Sequence, residues 1–146
     1  MTLQISSRLA IFALLELAAR PDRQLSVAEV GEKYGVSSHH LAKVMHILGR
    51  SGLVRSLRGA GGGYQFAGNA RRTTLLDVIE LFENWRSTSN EMPAVDDTSE
   101  EVALREVLDE IDDIARATFG SITIATMLKL VDRRGRTGGR KSAALS

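Results

Sequence analysis

Two groups of residues in the N-terminal half have the types and spacing to do chemistry with a polyanion. The first is Ser37-Ser38-His39-His40, followed by Lys43. Ser37 or Ser38 can cap a helix, and a helix start leaves backbone N–H groups to meet a phosphate. His39, His40 and Lys43 then project from the first turn and a half. They can donate to base acceptors or phosphates, and Lys43 can reach guanine O6/N7. The second group is Arg55 and Arg58 at the edge of Gly59-Ala60-Gly61-Gly62-Gly63, which leads into Tyr64. A glycine turn can press its backbone against a sugar–phosphate wall, and Arg58 beside it can enter a narrow A·T-rich minor groove.

Other chemistries fit these residues less well. A phosphate-cradling nucleotide loop needs a strand, a glycine-rich turn, a terminal Gly-Lys-Ser/Thr and then a helix. Here the glycines lead into Tyr64-Gln65-Phe66, which reads as a strand, and no lysine follows. His39 and His46 share a helical face, but no acidic or cysteine partner for a metal lies near them in sequence. His39, His40 and His46 are the only histidines, so no Ser–His–Asp arrangement or paired-carboxylate site can be argued from spacing. An enzyme is not expected.

The elements that must position these residues can be read from apolar periodicity and punctuation. Ser6 and Ser7 are expected to cap a first helix running to about Arg20, so apolar that it must be covered on most sides. Ser26 and Glu29 have capping-box spacing for a second helix to about Tyr34, and Gly35 suits a left-handed helix end. The third helix carries Leu41, Val44, Met45, Ile47 and Leu48 at spacings of three and four and ends at Ser51-Gly52. Leu53–Arg58 and Tyr64–Phe66 make a hairpin. Thr74 and Asp77 cap a fourth helix to about Glu83. Trp85–Thr98 lacks periodicity and is expected to be a loop. A long helix, Thr98–Phe119, carries the stripe Leu104, Leu108, Ile111 and Ala115, with Gly120 expected to break it before a last helix, Ser121–Val131. Such a single stripe needs an external apolar partner.

Composition agrees. The chain has 146 residues, 43% of them hydrophobic and 25% charged, ordinary for a globular protein, with too few aromatics for anything but an aliphatic core. The formal net charge of +1 hides a division. Residues 1–72 hold ten Lys/Arg against four acids, residues 73–132 hold four against fourteen, and residues 133–146 add five basic residues and no acid. The basic half suits nucleic acid, and the acidic middle should face away from it. There is no cysteine, which removes disulfides, thiol nucleophiles and thiolate-held metals. No signal peptide or transmembrane run is expected, because Leu9–Ala19 is too short and carries Glu16. A cytoplasmic location is the default expectation.

The stretch Leu25–Tyr64 resembles the Rrf-two (Rrf2) family of bacterial regulators, of the IscR, NsrR and CymR type. The likeness is carried by Tyr34-Gly-Val-Ser and by Leu53-Val-Arg-Ser-Leu-Arg-Gly-Ala-Gly-Gly-Gly-Tyr, and it extends from Met1 to about Val131. The resemblance implies a homodimer joined through the long helix, and DNA contacts at Ser38, His39, His40, Lys43, Arg58 and the wing glycines. Many members bind an iron–sulfur cluster through three cysteines. Here the last of those positions falls at about Val102, with a downstream ligand position at about Arg105, so this is a cysteine-free variant and no cofactor is expected.

The expected fold is mainly α, a winged helix-turn-helix with a two-stranded wing and a long C-terminal dimerisation helix. Residues 1–84 form the DNA-binding domain, 85–98 a loop that could sense a signal through Trp85, 99–131 the dimerisation helices and 132–146 a disordered basic tail. The expected function is a sequence-specific regulator, a repressor, binding a near-palindromic double-stranded operator through Ser37, Ser38, His39, His40, Lys43, Arg55, Arg58, Gly59, Gly61, Gly62, Gly63 and Tyr64. A small-molecule or protein effector would set its activity. The competing reading is a winged helix that docks on a protein through the acidic long helix.

Overall fold

A computed structural model describes residues 2–58, 62–83 and 98–144, the last nine for their backbone only. The helix α1 (Ile5–Ala19) is the centre of the core. Its Ala10, Ala13, Leu14 and Leu17 are almost fully buried, because α3, α4, α6 and β2 cover it on several sides. Ser6 and Ser7 do not cap it. The N-cap is Gln4, without a side-chain bond, and both serines lie within the first turn. Ser7 is buried and spends its hydroxyl on Glu83 Oε1 at 2.8 Å, a partner that sequence distance hides.

The helix α2 (Val27–Tyr34) opens with the Ser26/Glu29 capping box and closes on Gly35 at φ 65°, in the left-handed region. After this turn α3 (Ser38–Arg50) begins, with Ser37 Oγ accepting from the His40 N–H. Leu41, Val44, Met45 and Leu48 of α3 pack into the core, while Ile47 stays partly in solvent. The strands β1 (Val54–Leu57) and β2 (Gly63–Phe66) pair antiparallel, with Val54 opposite Phe66 and Arg55 opposite Gln65. Leu25 adds a bridge to Tyr64 on the far edge of β2, which ties the hairpin to the segment leading into α2.

The helix α4 (Leu75–Ile79) has the expected Thr74/Asp77 capping box but is shorter than its apolar pattern suggests, and Glu80–Phe82 form a turn. The helix α5 (Ser99–Ser121) is capped by Thr98. Gly120 lies inside it rather than ending it, and faces α4, where a Cβ would sit 3.4 Å from Leu76 Cδ2. The chain then turns extended at Ile122, whose carbonyl accepts from the Leu75 N–H, and Thr123 bridges Thr74. From Ile124, α6 continues through the basic stretch to Ala144 instead of stopping near Val131. Arginine and lysine are good helix formers and suit a helix C-terminus, which a reading of 132–146 as tail composition overlooks.

The molecule is a mainly helical winged helix-turn-helix carrying a long C-terminal helix. Among the described residues no helix is long and apolar enough to cross a membrane.

Candidate nucleic-acid interface

The angle between α2 and α3 is held by glycine. Gly31 is buried on α2, and a Cβ there would come within 2.9 Å of the Val36 carbonyl oxygen. That carbonyl belongs to the turn, and the Gly31 carbonyl in turn accepts from the Val36 N–H at 3.0 Å. The base of α2 is fastened to α1 by Tyr34, whose ring stacks on Phe12 at 5.0 Å and whose hydroxyl donates to Glu16 Oε1 at 2.6 Å. Lys33 pairs with the same carboxylate. Burial pushes the Glu16 carboxyl up, but bonds from Lys33 and Tyr34 and the charges of Lys33 and Arg20 outweigh it and hold it below its ordinary value. Burial and the neighbouring carboxylate push the Tyr34 phenol up, so it remains a donor.

On α3 the polar face divides. His39 and Lys43 are exposed, and their stripe continues through His46 and Arg50 at steps of four, three and four. His40 points elsewhere. It is half-buried, and its Nε2 shares a 3.2 Å hydrogen bond with Ser6 Oγ on α1. Ser37 and Ser38 are exposed at the helix start. The Ser37 hydroxyl is used on the His40 N–H, so the amides of Ser38 and His39 are the first-turn donors without an intrahelical partner.

In the wing, Arg55 is exposed on β1 and donates through Nε and Nη2 to Gln65 Oε1 at 3.2 and 3.0 Å. Arg58 is exposed just beyond β1. Gly59 and Gly61 lie outside the described residues, as does Trp85. Gly62 is exposed. Gly63 has a structural reason: a Cβ there would meet the Leu25 carbonyl oxygen at 2.6 Å and break the bridge. Tyr64 is half-buried, and its backbone exchanges both bonds with Leu25, at 2.8 and 3.0 Å.

Sequence reasoning weighed His46 only as a metal ligand and passed over Arg50. The helical repeat from His39 and Lys43 was the signal that could have found both. Between Glu32 and Asp77 the chain has no carboxylate, while Lys33, Lys43, Arg50, Arg55, Arg58, Arg71 and Arg72 fall there. The segment that carries α3 and the wing is therefore uniformly basic.

The family model for Rrf2, described as an iron-dependent transcriptional regulator, matches residues 3–130. The chain belongs to the Rrf2 family. A protein of Rhodopseudomonas palustris named as an HTH-type transcriptional regulator, BadM, is 48% identical over 136 residues, covering 93% of this chain and 86% of its own length. Among solved structures, a transcriptional regulator from Listeria innocua superposes with a TM-score of 0.71 at 28% identity, over 88% of this chain and 87% of the other. The global cysteine regulator CymR of B. subtilis does so with a TM-score of 0.71 at 25% identity, over 89% and 98%. IscR of T. potens matches with a TM-score of 0.66 at 26% identity, over 90% and 88%. The Rrf2 family and these relatives are transcriptional regulators, not enzymes.

The iron chemistry in the family's description can be tested against the donor set. A thiolate-held cluster does not fit this chain, which has no cysteine. Val102 and Arg105, at the positions the resemblance assigns to ligands, are exposed on the first two turns of α5. Among the described residues no group of three His, Asp or Glu could hold a metal ion.

Proposed function

We propose that this Rrf2 regulator is a homodimer that represses transcription by occupying a near-palindromic operator in double-stranded DNA. Each protomer sets α3 in a major groove and the wing in the neighbouring minor groove. The observation that carries the reading is the exposed stripe His39, Lys43, His46 and Arg50 beside Arg55 and Arg58, in a stretch of chain without carboxylates. Dimerisation is supported by α5, which has no buried residue and leaves Leu104, Leu108 and Ile111 each more than half exposed. Ala115 continues the same face closer to the domain. An apolar stripe of this length in water calls for a second copy. Palindromic recognition follows from two-fold symmetry.

The regulator would act without an iron–sulfur cluster, since thiolate ligands are missing, and in the cytoplasm, where a bacterial chromosome is. A small molecule or a protein would deliver the signal through segment 85–98, with Trp85 as the aromatic contact. The decisive experiment is selection of bound genomic fragments by the purified protein, followed by a gel shift at several salt concentrations. A specific, salt-sensitive band supports the reading. A protein-docking module would give no specific band, and that result would overturn it.

A further inference from the structure

The two C-terminal helices carry opposite charge. Along α5 seven carboxylates stand against two arginines, and along α6 six lysines and arginines stand against one aspartate, an excess of five in each case. The charges are sorted by face. On α5, Glu106, Asp109, Glu110 and Asp113 are exposed on the side opposite Leu104, Leu108 and Ile111. On α6, Lys129 and Arg133 are exposed on the side opposite Ile124 and Leu128, and the positions of Arg136 and Arg140 continue the same row at steps of three and four. We propose that the basic row of α6 docks on the acidic face of α5 in a further copy of this chain, joining two dimers. The inference rests on the dimer reading above and adds to it a second, electrostatic contact between copies.

The fold keeps the two rows apart within one protomer. Helix α5 packs on α4 and α6 packs on α1, and among the described residues the two do not lie side by side. The turn between them is pinned, because the Leu75 N–H donates to the Ile122 carbonyl at 2.9 Å and Thr123 bridges Thr74. The seam through Leu104, Leu108 and Ile111 does not cover the acidic face either, since that face points the other way. Its occupant comes from outside the pair.

Each row weakens its own helix. Like charges three and four residues apart repel, as Glu106, Glu110 and Asp113 do on α5 and Lys129 and Arg133 do on α6. An opposed row of the other sign relieves both. The two rows share the same steps of four and three, and each helix runs for about 30 Å. The far half of α6 is weak by itself, with glycine at 135, 138 and 139, and space is open at Gly135, so nothing of its own domain approaches the helix there. Nucleic acid would satisfy the basic row and leave the acidic one bare, whereas a further copy satisfies both. A dimer offers two rows of each sign, so two dimers can make the contact reciprocally and close as a tetramer. Contacts of this kind select a partner by charge and weaken with salt.

The test is sedimentation velocity of the full chain without DNA, from about 0.05 to 0.5 M salt. The parent should sediment with twice the dimer mass at low salt and as a dimer at high salt. Arg133→Glu with Arg136→Glu, and separately Glu106→Lys with Glu110→Lys, should each stay dimeric throughout, because the facing rows then have one sign. Mixing the two double variants should restore the larger species, which a folding defect in either would not allow. Parent dimers that never associate, or double variants that still do, would overturn this contact alone. A parent that is monomeric throughout would overturn the dimer reading with it. Double variants that fall to monomer would place the two rows within one dimer and overturn the contact between dimers. A loss of duplex affinity in the α6 variant with its assembly unchanged would assign the basic row to nucleic acid, and it too would overturn the contact.

Discussion

The Tyr34 hydroxyl donates to Glu16 Oε1 across 2.6 Å, and through this bond the last turn of α2 hangs from the central helix. The carboxyl of Glu16 is held below its ordinary value, so its contribution to stability is complete above the pKa of the unfolded chain. It is lost as pH falls through the lower, folded value. Tyr34→Phe removes a hydrogen bond to a charged acceptor and should cost about 1–2 kcal/mol at pH 7. The difference from the parent should shrink as the pH is lowered below about 4. Thermal melts followed by circular dichroism between pH 7 and 3 would show it. A gap independent of pH would mean that the bond owes nothing to the carboxylate's charge.

Gly31 and Gly35 shape the same turn for different reasons, and alanine should separate them. At Gly31 the added Cβ meets a carbonyl oxygen of the turn at 2.9 Å, so α2 and α3 must move apart. A loss of about 1–3 kcal/mol is expected, together with weaker DNA binding. At Gly35 the Cβ meets nothing, and only the left-handed φ of 65° resists it, at about 1–2 kcal/mol. Gly35→Ala should therefore lower the melting temperature while DNA affinity at 20 °C stays near that of the parent. Equal damage to DNA affinity from both variants would show that the crossing angle is not what Gly31 protects.

Arg58 and Lys43 should differ in what they recognise. Arg58→Ala should weaken specific binding by about 1–3 kcal/mol, most on operators flanked by an A·T-rich minor groove. Lys43→Ala should lower affinity on all sequences and flatten the salt slope by about one unit if its ammonium meets a phosphate. Competition binding with matched A·T-rich and G·C-rich flanks tests the first. Equal losses on the two flanks would argue against insertion of Arg58 into the minor groove.

Ile111→Glu places a carboxylate in the exposed apolar stripe of α5. If that stripe is the seam between protomers, the substitution should cost several kcal/mol of dimer stability. Sedimentation at micromolar concentration should then show monomer. Inserting five base pairs between the operator half-sites should likewise abolish tight binding, because it turns the half-sites to opposite faces of the duplex. A stable dimer of the variant would remove α5 from the interface.

Much of the fold was legible because local chemistry decides it. The Ser26/Glu29 and Thr74/Asp77 boxes, the left-handed Gly35 and the alternation through Val54 and Phe66 are settled by residues a few positions apart. Exposure of His39, Lys43 and Arg58 followed from the same periodicity. What the tertiary structure alone decided are meetings across long stretches of chain. His40 has the same type and neighbourhood as His39, yet its ring is turned to Ser6, thirty-four residues away. Ser7 looked like a cap and is instead buried against Glu83, seventy-six residues on. Gly63 belongs to a glycine run suited to DNA, but its missing side chain is required by the carbonyl of Leu25. Gly120 looked like a stop and is a packing contact. Helix periodicity assigns a residue to a face, and capping chemistry assigns an end. Neither says which remote backbone or side chain that face will touch, because that depends on how α1 is covered by elements drawn from the whole chain.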